Sequence, residues 1–208
     1  MKSFCTEQEE FWAGNFGDSY SERNKSEKLL SSNLNFFSRA LKSTNSLKKC
    51  IEFGANIGMN IQALMKLFPD LEFNAVEINK KASEKLKNII PKEKIFEDSI
   101  FNFNSNEVWD LVLIKGVLIH INPEMLGKIY EILEKATKKY LLIAEYYSRN
   151  PETLVYRGFD NKLYKRDFAG EIIDKYPAFE LLDYGFVYHR DSNFPLDDIT
   201  WFLLQKIN

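Results

Sequence analysis

From about Leu47 onward, short apolar runs alternate with segments whose apolar residues recur at helical spacing. That alternation predicts an α/β fold, a mostly parallel sheet with helices on both faces. Strands are expected near 49–54, 72–78, 94–97, 109–115 and 139–146, with helices at 26–41, 58–68, 80–90, 123–136 and 167–176. Two further runs, Phe179 to Val187 and Thr200 to Lys206, flank the loop from Tyr188 to Pro195, which suits an antiparallel hairpin closing the sheet at seven strands. The clearest helix start is Asn122-Pro123, an N-cap followed by a proline where the missing N–H costs nothing. In that helix Met125, Ile129, Ile132, Leu133 and Ala136 share one face and are read as core. The segment before Ser26 mixes polar and aromatic residues, a composition for a lid better than for a core. The expected organisation is one domain over 1–208, with an N-terminal helical lid over 1–45 and an α/β core over 46–208.

The first strand ends in Glu52-Phe53-Gly54-Ala55-Asn56-Ile57-Gly58, and a helical pattern restarts at once. Such a strand-turn-helix is where a Rossmann-type sheet holds a nucleotide, outside the strand's carboxyl end. Glu77 closes the next apolar run, in Val76-Glu77-Ile78, at 77 − 54 = 23 residues beyond Gly54. That interval is close to the roughly 20 residues at which a carboxylate reaches a ribose diol. A dinucleotide fingerprint places a second glycine where Asn56 stands, and the Tyr-x-x-x-Lys pair of a short-chain dehydrogenase is absent. S-adenosylmethionine carries no phosphate, and Asn tolerates a left-handed turn, so the departure favours a methyl donor over NAD. An NAD-dependent oxidoreductase is the alternative. A methyltransferase-like module that binds the nucleoside without turning it over is another.

Composition narrows the partners. The 208 residues are 45% hydrophobic and 28% charged, as in a globular protein with a sizeable core. A net charge of −2 gives no general attraction to nucleic acid. No apolar stretch approaches the roughly 20 residues of a membrane span, and the first ten residues lack a signal peptide's apolar region. Cys5 and Cys50 lie in no metal-ligand spacing, so no metal is expected, and reduced thiols point to the cytoplasm. The oligomeric state is not legible.

Each part of S-adenosylmethionine asks for a different side chain. Glu77 is assigned to the ribose diol, because a carboxylate accepts two hydroxyls at once, with Ile78 beside it. Asp98 and Ser99 follow the third strand and are placed at the adenine edge. Glu52 sits inside an apolar strand, where a carboxylate is costly unless paired, and is assigned to the methionine ammonium. Lys115 and Gly116 end the fourth strand beside the cofactor, Gly116 allowing close approach. Trp12, Phe16, Tyr20 and Arg23 are expected to fold over it. His120 is the candidate base for the acceptor's proton. Of Glu145, Tyr146 and Tyr147 at the end of the fifth strand, Tyr146 is assigned a catalytic place and its two neighbours the acceptor. Tyr156, Arg157, Arg166 and His189 complete the acceptor set, a mixture of rings and guanidinium groups that suits an anionic sugar acid or nucleotide sugar.

At these residues the chain resembles a class I S-adenosylmethionine-dependent methyltransferase and, more narrowly, the pseudaminic acid biosynthesis-associated methylase family. The narrow resemblance is carried by Glu10 to Gly17, Glu52 to Asn60, Lys115 to Pro123, Ile143 to Tyr147, Tyr156 to Gly158, Lys165 to Glu171, Asp183 to Asp191 and Thr200 to Leu204. It implies a Rossmann-like fold of seven mostly parallel strands with a C-terminal antiparallel hairpin, and cofactor contacts at Glu52, Gly54, Asn56, Gly58, Glu77 and Asp98, Ala55 lying within the same turn. It also implies a small sugar-derived acceptor in nonulosonic acid or surface-glycan metabolism in a bacterium.

Overall fold

The structure, a computed structural model, describes residues 4–23 and 26–207, and the side chain of Arg23 lies outside what it describes. Strands β1 (Lys49–Phe53), β2 (Glu72–Val76), β3 (Ile95–Phe96), β4 (Trp109–Lys115) and β5 (Thr137–Glu145) run parallel. A separate two-stranded sheet pairs β6 (Glu152–Tyr156) with β7 (Phe159–Lys165). Then β8 (Phe179–Val187) and β9 (Ile199–Lys206) close the main sheet antiparallel, giving the order β3-β2-β1-β4-β5-β9-β8. The helices are α1 (Glu7–Ala13), α2 (Asn15–Arg23), α3 (Glu27–Ala40), α4 (Met59–Leu67), α5 (Lys80–Leu86), α6 (Leu126–Ala136) and α7 (Phe168–Lys175).

Alternation along the central strands feeds two apolar layers. Cys50, Leu111 and Leu113 pack with α3, α4 and α5 on one face; Ile51, Phe53, Val112 and Ile114 pack with α6 and α7 on the other. A strand buried on both faces reads as a continuous apolar run, which is why β4 and β5 were legible. Burying each such Leu or Ile contributes about 1.5–3 kcal/mol. The expected cap at Asn122 is present, its side chain accepting from Glu124 N at 3.0 Å, although residues 123–125 form a tight 3-10 turn before α6 begins.

Two expectations are corrected. Within 1–45 α1 and α2 lie over the sheet's rim, and Leu29 and Asn33 of α3 reach it, but Phe36, Phe37 and Ala40 of α3 are fully buried, with α3 packed on α4, β8 and β9, so α3 belongs to the core. The β6–β7 hairpin was not anticipated. It turns on Arg157 (φ 50°) and Gly158 (φ 86°), the paired left-handed residues of a two-residue hairpin loop.

Candidate functional site

A cavity of about 470 Å³ opens at the carboxyl ends of β1, β2 and β4. This is the point where the sheet order reverses, with β2 on one side of β1 and β4 on the other. Its floor is the Gly54–Ile57 turn, Val76 to Asn79, Asp98 to Ile100 and Lys115 to Val117; its roof is Trp12, Gly17, Tyr20 and Ser21; Pro195 to Asp197 form a side wall.

The turn is built for a close approach. Gly54 has φ 76°, and a Cβ there would stand 2.4 Å from Val117 Cγ2. Asn56 takes φ 49°, the conformation expected of it. Gly58 does not line the cavity; it starts α4 with φ 78°, and a Cβ would meet Leu86 and Ile89 at 2.7 and 2.8 Å, so its role is to seat α4 against α5 and the residues that follow α5.

Glu77 is buried at the cavity floor and accepts Asn56 N at 2.6 Å and Asn79 N at 2.7 Å. Burial pushes its carboxyl up to about 7, against the pull of these backbone donors. Two oxygens carry about four acceptor sites, so both retain capacity for a ligand's hydroxyls. Glu52 is 1% exposed; Oε1 accepts Asn60 Nδ2 at 2.6 Å, and Oε2 has no partner among the described residues. Burial pushes it up to about 8, and burial also lowers the Lys115 ammonium that faces it. Glu52 itself is behind the wall, with Asn60 and Lys115 between it and the space. Asp98, Ser99, Ala55, Ile78 and Gly116 all line the cavity; Asp98 Oδ1 takes Ser99 N at 2.7 Å, and Ser99 Oγ takes Phe101 N at 3.1 Å.

The lid is latched across this space. Asn79 Nδ2 donates to Trp12 O at 3.2 Å and to Asp18 Oδ1 at 2.9 Å, Ser21 Oγ stands 2.8 Å from Asn56 Oδ1, and Lys81 pairs with Asp18 at 2.6 Å. On its other side Gln8 Nε2 reaches Asn161 O at 3.1 Å, and Glu7 pairs with Lys162 at 2.8 Å, both on the β6–β7 hairpin. Trp12 packs against His120 at 4.6 Å and Tyr20 at 5.2 Å, and Tyr156 packs against His120 at 4.9 Å. His120 is 6% exposed, lines the cavity, and contacts Lys162 O through Nδ1 at 2.5 Å. Burial depresses its imidazole to about 4.

Of the expected acceptor residues, the structure brings Tyr156 to this aromatic cluster and His189 to the cavity's outer wall. The others stand elsewhere. Glu145 is buried beneath the loop after β4, where Oε1 accepts Val117 N at 2.9 Å and Leu118 N at 3.0 Å; it shapes the segment carrying His120 and lines not this cavity but a separate small apolar hollow, with Tyr147, Arg166, Phe168 and Phe202. Tyr147, the outward one of the two tyrosines, is exposed and packs on Phe202. Arg157 projects from the hairpin tip, exposed, over its own neighbour Tyr156. Arg166 is bound by Glu171 at 2.7 Å, which also accepts Tyr130 OH at 2.7 Å. Tyr146 is half-buried behind the wall, hydrogen-bonded to the cavity residue Asp197, and burial raises its phenol. Arg23's side chain lies outside the described residues. Sequence reasoning missed Gln8, Asn33, Asn79 and Asp197. Of these only Asn79 left a signal, an N-cap before Lys80-Lys81-Ala82, whose side chain accepts Ala82 N at 2.8 Å.

Among the described residues no helix is long and apolar enough to cross a membrane. The sequence matches no protein-family model and no curated protein. Its fold is similar to that of many solved structures. The 1,6-didemethyltoxoflavin-N1-methyltransferase of Burkholderia thailandensis, solved with 1,6-didemethyltoxoflavin and S-adenosylhomocysteine, superposes with a TM-score of 0.73 at 12% identity over 100% of this chain and 94% of that one. The magnesium protoporphyrin IX methyltransferase of Synechocystis, solved with its methyl donor bound, gives 0.69 at 11% identity over 99% and 100%. A mitomycin 7-O-methyltransferase gives 0.67 at 12% identity over 97% of this chain, which spans 61% of that protein's length. The chain therefore has the class I Rossmann-like methyltransferase fold.

Proposed function

We propose that this chain is an S-adenosylmethionine-dependent methyltransferase acting on a small sugar-derived acceptor. The setting that the sequence resemblance implies is nonulosonic acid or surface-glycan metabolism, and the two free cysteines fit a cytoplasmic enzyme. The observation that carries the reading is Glu77, a buried carboxylate facing a cavity at the sheet's switch point. The residues present fit the donor. Glu77 would hold the ribose diol, Asp98 and Ser99 the adenine edge, and the Gly54–Asn56 turn the methionine end. Glu52, just behind the wall with Oε2 unpartnered, would act on the methionine ammonium through Asn60, which lines the cavity and donates to its other oxygen. When bound, the donor supplies a methyl group on a cationic sulfur. The chain's own contribution is to position and to exclude water, which the roof of Trp12 and Tyr20 serves. That two of the structural neighbours hold this donor or its product supports the reading.

Calorimetric titration with S-adenosylhomocysteine tests it. Micromolar binding is expected, weakened roughly 10- to 150-fold in Glu77→Ala. Tight binding of NADH without S-adenosylhomocysteine would refute the proposal in favour of an oxidoreductase. Donor binding with no methyl transfer to any of a panel of nucleotide sugars and nonulosonic acids would leave a binding module.

A further inference from the structure

We infer that the atom methylated is a hydroxyl oxygen on an uncharged part of the acceptor, and that Nε2 of His120 takes its proton. The inference rests on the donor reading above and adds the acceptor's chemistry. The tautomer follows from one contact. Lys162 O is a carbonyl and only accepts, so its 2.5 Å approach to His120 Nδ1 puts the ring's proton on Nδ1. Burial keeps the imidazole neutral, and Nε2 is left with a lone pair to which no described residue donates.

The surroundings define what can come to that lone pair. Trp12 and Tyr156 lie against the imidazole at 4.6 and 4.9 Å, and Tyr20 stands edge-on to Trp12, so the site beside Nε2 is walled by rings. Ring faces pack well on the C–H face of a sugar or on another flat uncharged ring. Two more polar atoms in the roof are buried without partners, the donor Trp12 Nε1 and the acceptor Gln8 Oε1. A hydroxyl-bearing molecule both donates and accepts and satisfies such a pair.

Charge excludes the anionic alternative. Among the described residues no arginine lines the cavity, since Arg157 is at the hairpin tip and Arg166 is held by Glu171. Lys115, the one lysine of the described wall, faces the carboxylates of Glu52, Asp197 and Glu145. A carboxylate or phosphate at His120 would be stripped of water beside neutral rings with nothing to pair it. An acidic group elsewhere on the acceptor can remain outside.

The step balances. The acceptor's O–H bond breaks with its proton passing to Nε2, and the oxygen's lone pair forms the new O–C bond. The C–S bond breaks with its pair on sulfur. The sulfonium charge is thereby exchanged for an imidazolium, which returns the proton to solvent.

Histidine-selective ¹⁵N NMR in the presence of S-adenosylhomocysteine reads the tautomer without turnover. The chain has two histidines, so His120→Asn assigns the signals. At pH 7 an unprotonated Nε2 and a protonated Nδ1 are expected; a proton on Nε2 overturns the inference. In turnover assays with matched phenyl hexopyranoside, phenyl hexuronide and phenyl aminohexoside, O-methylation of the neutral glycoside is expected at kcat/KM at least about tenfold above the uronide. His120→Asn keeps a donor for Lys162 O and is expected to lower kcat about 10²–10⁴-fold, with S-adenosylhomocysteine affinity within about twofold of wild type. N-methylation, preference for the uronide, no methylation of any of the three, or full turnover by His120→Asn each overturns the inference. Failure of wild type to bind S-adenosylhomocysteine overturns the donor reading and takes this inference with it; donor binding with a misplaced proton overturns only the inference.

Discussion

Glu52→Gln is expected to stabilise the donor-free protein while weakening donor binding. The carboxyl is 1% exposed, and one of its oxygens is unpartnered among the described residues. Burial raises it from 4.5 to about 8. A carboxyl that binds its proton more tightly in the folded state contributes fully below about pH 4.5 and loses that contribution as pH rises toward 8. At pH 7.5 the deficit is on the order of 3–4 kcal/mol. Glutamine has no charge to bury and keeps an oxygen for Asn60, but brings an N–H₂ to a place suited to an acceptor, at a cost of about 1–2 kcal/mol. The net gain is about 2 kcal/mol, which for a chain of this size raises Tm by about 4–8 °C at pH 7.5. By pH 4.5 the gain should vanish or reverse. Thermal melts of the two proteins side by side from pH 4.5 to 8.5, with S-adenosylhomocysteine titrations at pH 7.5, provide the assay. Parallel pH profiles would refute the claim that an unpaired buried carboxylate sits at position 52, and an unchanged affinity would detach it from the site.

Glu77→Ala removes charge-assisted acceptors and should weaken S-adenosylhomocysteine binding by about 1.5–3 kcal/mol, or roughly 10- to 150-fold, by calorimetry; affinity within twofold would remove Glu77 from the site. Gly54→Ala forces a side chain into φ 76° and against Val117 at 2.4 Å, so urea melts should show a loss of about 2–4 kcal/mol. Arg157→Ala, at an exposed hairpin tip, should change stability by less than about 0.5 kcal/mol and leave turnover intact. Arg166→Ala breaks the half-buried pair with Glu171 and should cost about 1 kcal/mol in stability without altering donor affinity.

The floor of the cavity was legible because its parts are local. The left-handed turn at Gly54 and Asn56, the carboxylate closing β2 and the Asp-Ser pair after β3 each declare themselves within a few residues, and the parallel sheet brings them to one rim. The surroundings of the residues expected to meet the acceptor were not. Arg157 and Arg166 were read as ligands because type and spacing cannot reveal a hairpin that turns one outward or a Glu171 that binds the other. Glu145 looked like a rim residue, yet it folds beneath the next loop to accept backbone N–H groups, a partnership set by tertiary contact. The β6–β7 strands escaped notice because half of their positions are exposed and they lack a clean apolar alternation, and Arg-Gly is a weaker turn signal than Asn-Gly. With the hairpin unseen, the carbonyl of Lys162 that fixes the His120 proton was beyond reach.

In the main sheet β8 has a single neighbour, β9, which is itself inserted between β8 and β5. β8 has nothing to join until β9 has folded back along it, and β5 keeps a bare edge until β9 arrives. Docking β9 on β5 closes contacts far apart along the chain, a slow kind of ordering. Pro195 to Asp197 immediately precede β9 and are carried to the cavity by it. Ligand affinity should consequently return late during refolding, after the bulk of the secondary structure, because the vessel has no third side before then.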